Sequence, residues 1–126
     1  METGQTRSQT LLVLTSLPDE ASAQALAAAL VAERLAACVN IMAPCRSVYR
    51  WRGEVESTME VPIQIKSTTA RYAALEAAIR ARHPYELPEI VAVPFVLGLP
   101  EYLSWVVDET RAESLPEPTD RNPASC

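Results

Sequence analysis

Between Val55 and Lys66 the chain alternates: Val61, Ile63 and Ile65 are apolar, while Glu60, Gln64 and Lys66 are polar. Period two over this length demands a strand with one buried face and one open face, because successive side chains leave a strand on opposite sides. Such a strand needs neighbours along its edges and an apolar layer over its buried face, and the rest of the chain must supply both. Arg52-Gly53 just before it reads as a turn, and Ser47 to Trp51 ahead of that turn looks extended, so the strand is one arm of a hairpin. Ala37 to Ile41 also looks extended; with Ala43-Pro44 between the two stretches, the prediction is one long, bulged strand, since proline cannot donate to a ladder. Pro62 falls on the polar parity, so its nitrogen must point away from a paired neighbour or sit at a bulge.

The flanking segments supply the missing layers. Leu11-Leu12-Val13-Leu14 reads as a first buried strand, closed by Ser16, Pro18 and Asp19. Asp19 is placed to cap a helix running to about Arg34, with Ala23, Leu26, Ala27 and Leu30 on one face. A second helix is predicted from Thr69 to Arg82, with Tyr72, Leu75 and Ile79 on one side and Arg71, Arg80 and Arg82 as a solvated face; Pro84 disfavours helical geometry at His83 and so ends it. Glu89 to Val96 reads as a fourth strand, and Pro100 opens a last helix to about Glu109 with Leu103, Val106 and Val107 turned inward. The order β-α-β-β-α-β with an added C-terminal helix is that of a ferredoxin-like α+β domain with an antiparallel sheet and both long helices on one face. Residues 10–111 form this domain, after a flexible leader at 1–9 and before a tail at 112–126 whose Pro116, Pro118 and Pro123 among polar residues predict disorder. The second sheet face has no cover from within the chain. With Tyr49, Trp51, Val55 and Met59 assigned to it, another copy of the chain is the simplest cover, and an oligomer is expected.

Composition removes several classes of function. The 126 residues are 48% hydrophobic and 21% charged, with a formal net charge of −5, as expected of one globular domain that grips neither nucleic acid nor anionic lipid through its overall field. No run approaches the ~20 apolar residues of a membrane span, and the polar amino terminus points to the cytoplasm. Cys38, Cys45 and Cys126 form an odd, widely spaced set that matches neither a disulfide framework nor a zinc ribbon, so reduced thiols are expected.

Glycine-rich phosphate loops, G-x-S-x-G and H-E-x-x-H are all missing from the sequence, and no enzyme is expected. Chemistry therefore centres on the single histidine, in the stretch His83-Pro84-Tyr85-Glu86-Leu87-Pro88-Glu89. Three roles are open to it: metal ligand, catalytic base, or the residue at which a helix stops, where an imidazolium gains from the helix dipole. Cys38, His83 and Glu60 are the most reasonable ligand set, offering thiolate, imidazole and carboxylate to an ion such as copper or zinc. Against this, Ala36-Ala37-Cys38-Val39 is apolar, and a cysteine there can be simple packing. A Cys/His nucleophile pair oriented by Glu86 or Glu89 lacks any signal for an oxyanion hole. Tyr49, Trp51, Tyr85, Tyr102 and Trp105 can line a ligand pocket or anchor core and interface.

Five stretches in order, Leu35-Ala36-Ala37-Cys38-Val39, Tyr49-Arg50-Trp51-Arg52-Gly53, Lys66-Ser67-Thr68, His83-Pro84-Tyr85 with Pro88-Glu89, and Tyr102-Leu103-Ser104-Trp105, resemble the CutA divalent-cation tolerance proteins over about Leu11 to Glu109. The resemblance implies a tight homotrimer of ferredoxin-like protomers, similar in architecture to PII-type signalling proteins and locked in part by the strand hairpin. It implies divalent metal binding, with copper held in some members through cysteine and histidine; Cys38 and His83 carry over by motif, and Glu60 less directly. Where some bacterial members have a further cysteine at the end of strand one, this chain has Thr15. A PII-like alternative uses a cleft between subunits, with Tyr49, Trp51, Lys66, Tyr85 and Trp105 around it, for a small anionic ligand or a partner protein.

Overall fold

A computed structural model of the protein describes residues 9–112 and Cys126. Apart from Gln9, Ala112 and Cys126, the predicted leader and tail lie outside the described residues. Five strands and three helices follow one another: β1 (Thr10–Leu17), α1 (Glu20–Ala32), β2 (Cys38–Ile41), β3 (Cys45–Trp51), β4 (Glu54–Thr68), α2 (Thr69–Arg82), β5 (Val91–Pro94) and α3 (Pro100–Glu109). The main sheet runs β2-β4-β1-β5, every pair antiparallel, with β3 on the remaining length of β4. This is the ferredoxin-like α+β arrangement expected.

β4 organises the molecule. Its alternating half pairs Ile65 with Val13 on β1 and Val39 on β2, and Ile63 with Thr15 and Ile41. Residues directly opposite share a face, so these side chains form one layer, over which α1 lays Ala23, Leu26 and Leu30 and α2 lays Leu75 and Ile79. Asp19 caps α1 as expected, its Oδ1 accepting from the Ser22 amide at 2.7 Å, and that bond lowers its pKa. Ser67, fully buried, donates its hydroxyl to the Leu35 carbonyl at 2.7 Å and so ties the loop after α1 to β4.

The predicted long, bulged strand is two strands. Met42 donates to the Pro62 carbonyl at 2.9 Å, and in antiparallel pairing the return bond would come from the Pro62 nitrogen, which has no hydrogen. The ladder stops there, Ala43-Pro44 crosses the gap, and pairing resumes at Cys45 opposite Glu60. At the far end Arg52 and Gly53 take φ of 51° and 84°. Positive φ at both central residues is the turn that matches the twist of a two-stranded ribbon.

The expectation that Tyr49, Trp51, Val55 and Met59 share one uncovered face is corrected by the register. Tyr49 and Trp51 stand opposite Glu56 and Glu54, whereas Val55 and Met59 face Arg50 and Arg46 on the other side of the hairpin. The open face of the main sheet carries Leu12, Leu14, Val91 and Val93 instead; the last two are 46% and 48% exposed. α3, with Val106 buried, lies against the β1 and β4 end where Thr10 and Thr68 are covered.

Thr15 belongs to the inner layer, and its hydroxyl is buried with no hydrogen-bond partner among the described residues. Replacing it by valine keeps the shape and removes an unsatisfied polar atom. Thr15→Val is expected to raise stability by about 1 kcal/mol in chemical unfolding; a loss of stability would mean that the hydroxyl is satisfied.

Candidate functional site

His83 is the residue at which α2 stops, with φ −83° and ψ 135°, the extended geometry that a following proline imposes. Its ring is buried, and both nitrogens are engaged. Nε2 lies 2.8 Å from the Ser16 carbonyl, and Nδ1 accepts from the Tyr85 amide at 3.2 Å. A carbonyl cannot donate and an amide cannot accept, so the tautomer that fits carries its proton on Nε2. Burial pushes the imidazole pKa down, against smaller upward pulls from the Ser16 carbonyl and the Glu60 carboxylate. The neutral ring thus pins the loop after α2 to the end of β1.

That loop folds back towards the hairpin. Arg52 reaches Glu86 with one guanidinium nitrogen, at 2.9 and 3.0 Å from the two carboxylate oxygens, and lies 5.1 Å from the ring centre of Trp51. The pair is exposed, so solvent screens it and its contribution to stability is small; its role is to close the rim. Between loop and hairpin lies a cavity of about 830 Å³ whose walls include Tyr49, Trp51, Glu60, Tyr85, Glu86 and Glu89, well within the size of ordinary ligand pockets. Tyr85 packs on His83 with ring centres 4.8 Å apart, and burial together with the nearby Glu60 carboxylate raises its pKa, so the phenol stays protonated. Among the described residues three carboxylates line this space and no lysine, arginine or histidine does, while Arg52 at the rim offsets the charge of Glu86 and leaves Glu60 and Glu89 without an ion pair. Its electrostatic preference is for positive charge.

Of the pocket residues predicted from sequence, Tyr49, Trp51 and Tyr85 line the cavity together with Glu60. Lys66 and Trp105 do not. Lys66 is opposite Cys38, its Nζ 2.6 Å from Asn40 Oδ1 and 3.6 Å from Cys38 Sγ, and Trp105 packs on Tyr102 in α3. Pro84, Leu87 and Pro88 of the loop also line the wall, with Ser16, Pro18, Ser47 and Thr58; the proline-rich spelling of the loop is the signal that could have placed it there.

The proposed ligands Cys38, His83 and Glu60 are not brought together within one chain. Cys38 is level with Lys66 on β4, six residues from Glu60, about 20 Å along a strand. His83 sits level with Pro62, through Ser16. No group of three His, Cys, Asp or Glu side chains converges as a metal site among the described residues, so within one chain these three do not fit around one ion. Thr15 points to the inner layer and Cys38 to the open face, which means that a cysteine at position 15 would not join Cys38 either. The expectation of three reduced thiols is also corrected: Cys38 is disulfide-bonded to Cys126, and Cys45 is the free, exposed thiol.

Against known proteins, the family model described as CutA1 divalent ion tolerance protein matches residues 11–109. The chain belongs to that family. The Divalent-cation tolerance protein CutA of Thermus thermophilus is 46% identical over 99 residues, 79% of this chain and 96% of that protein; the protein of the same name from Citrobacter koseri is 40% identical over 98 residues, 78% and 85% of the two chains. Among solved structures, CutA from Xylella fastidiosa superimposes with a TM-score of 0.80 at 41% identity, covering 82% of this chain and 100% of that one. The periplasmic divalent cation tolerance protein CutA of Archaeoglobus fulgidus has a TM-score of 0.78 at 30% identity, covering 81% and 99%. The CutA1 match spans the sheet from Leu11 onward, α1 to α3 and the cavity walls.

Proposed function

We propose that this CutA1 family member is a binding protein rather than an enzyme, taking up a divalent cation, copper, as a cytoplasmic homotrimer. The observation that carries the reading is the sign of the cavity: Glu60, Glu86 and Glu89 line it, and of these, among the described residues, only Glu86 is paired with a basic side chain, Arg52, in a family described by divalent ion tolerance. Copper is favoured by the combination of Glu60 with the softer donors Cys38 and His83. Because β4 separates Cys38 from the other two within one chain, a shared ion needs donors from neighbouring copies, and the exposed Val91 and Val93 on the open sheet face give a second copy an apolar surface to cover. His83 would join only by releasing the Tyr85 amide from Nδ1. The alternative of a small anionic ligand runs against Glu60 and Glu89, which make no ion pair among the described residues.

Calorimetric titration of the reduced protein with Cu²⁺ and Zn²⁺ tests this, alongside light scattering for the mass of the assembly. Glu60→Gln is expected to weaken binding at least tenfold, and Cys38→Ala to weaken Cu²⁺ more than Zn²⁺. Unchanged heats in a Glu60→Gln/Cys38→Ala/His83→Ala variant would sink the site, and a monomeric mass would sink the trimer.

A further inference from the structure

We propose that Cys38 and Cys126 form a reversible thiol-exchange site, opened and closed by a low-molecular-weight thiol of the glutathione class. The two residues lie 88 positions apart and are disulfide-bonded, with Cα atoms 5.4 Å apart, a separation ordinary for such a bond. Around the bond sits a set of donors that a purely structural bridge does not need. Lys66 Nζ is 3.6 Å from Cys38 Sγ, and Asn40 Nδ2 is 3.8 Å from Cys126 Sγ. Lys66 also donates to Asn40 Oδ1 at 2.6 Å, which links the two donors into one unit. Among the described residues Lys66 makes no ion pair with a carboxylate. It is an ammonium short of a counter-charge, placed beside a sulfur.

Exposure sets the direction of attack. Cys126 is exposed, whereas Cys38 is 4% exposed. An incoming thiolate therefore reaches Cys126 Sγ: its sulfur bonds there, the bond to Cys38 breaks, and the electron pair leaves on Cys38 Sγ as a thiolate facing the Lys66 ammonium. A second small thiolate then attacks the mixed disulfide at the external sulfur, releasing the Cys126 thiolate and a small-molecule disulfide. Two external thiols are oxidised and one protein disulfide is reduced to two thiols, and oxidation by the small disulfide is the reverse. Stabilising the leaving thiolate speeds opening. On the cation reading above, the closed bridge withholds the Cys38 sulfur from metal; that consequence rests on the reading, while the exchange itself involves no metal.

The test uses the full chain carrying Cys45→Ser, so that only the two thiols remain. After equilibration with graded mixtures of reduced and oxidised glutathione, alkylation and mass spectrometry of peptides report the linked fraction. The expected result is full conversion in both directions, with the initial rate of opening about tenfold slower in Lys66→Met and close to the parent in Lys66→Arg; Lys66→Gln replaces Lys66→Met if circular dichroism finds the latter unfolded. Absence of the Cys38–Cys126 peptide in the most oxidising mixture, or an opening rate indifferent to the charge at position 66, would overturn the proposal. Metal titration plays no part in this readout, so it and the cation reading can fail separately.

Discussion

Ile65→Ala is expected to lower the free energy of unfolding by about 3 kcal/mol, read as a shift in denaturant midpoint at unchanged slope. The side chain is fully buried in the C-terminal half of β4, flanked by Val13 and Val39 and covered by the two long helices. Strands and helices on several sides hold the site open, so little of the vacated space can collapse. Val48→Ala is the control: Val48 is 67% exposed on the hairpin, and its truncation should move the midpoint by only a few tenths of a kcal/mol. Both variants must be compared at one protein concentration, because assembly contributes to apparent stability by mass action. Equal losses would show that the hairpin face is as buried in solution as the core.

The second large effect is expected at His83. Removing the imidazole takes away the contacts with the Ser16 carbonyl and the Tyr85 amide and leaves a hole behind them, so His83→Ala should cost about 2 kcal/mol near pH 7.5. Its pH dependence has a definite sign. The native pKa lies below the usual 6.5, so the unfolded chain binds the proton more readily than the native one. The stability gained from the neutral ring is present in full above about pH 6.5 and is lost as pH falls from there through the lowered native value. The gap between parent and variant should therefore narrow on acidification, by unfolding curves at pH 7.5 and pH 5. A gap that widens would mean that the ring is charged in the native state and that Nδ1 is not the acceptor for Tyr85.

Much of the fold was legible because local rules coincide with tertiary ones here. Alternation from Val61 to Lys66, the cap at Asp19 and the stop before Pro84 each depend on near neighbours, and α2 spans the predicted Thr69–Arg82. At Pro44, in the gap between β2 and β3, and at Pro62, on β4 beside Met42, the sequence hinted at a disturbance but not that it would divide a strand. The cavity is partly readable: aromatic character picks out Tyr49, Trp51 and Tyr85, which line it, but equally Tyr102 and Trp105, which do not, and Lys66 enters only with the family resemblance. Nothing periodic or local relates Cys38 to Cys126. A contact across 88 residues of chain is decided by where β2 lies in the finished sheet.

The two positive dihedrals at Arg52 and Gly53 carry more than a change of direction. A two-residue turn fixes which residues of β3 and β4 are opposite one another. With one residue more between Trp51 and Arg52, the two-residue turn kept and β4 held by the main sheet, β3 would slide by a single position and its side chains would exchange sides. Val48 and Arg50 would then replace Tyr49 and Trp51 on the wall of the cavity, bringing a guanidinium where aromatic rings now stand near Glu60. The chemical character of the pocket is in this sense a matter of counting: it depends on where along the chain a two-residue turn falls, although neither turn residue lines the wall.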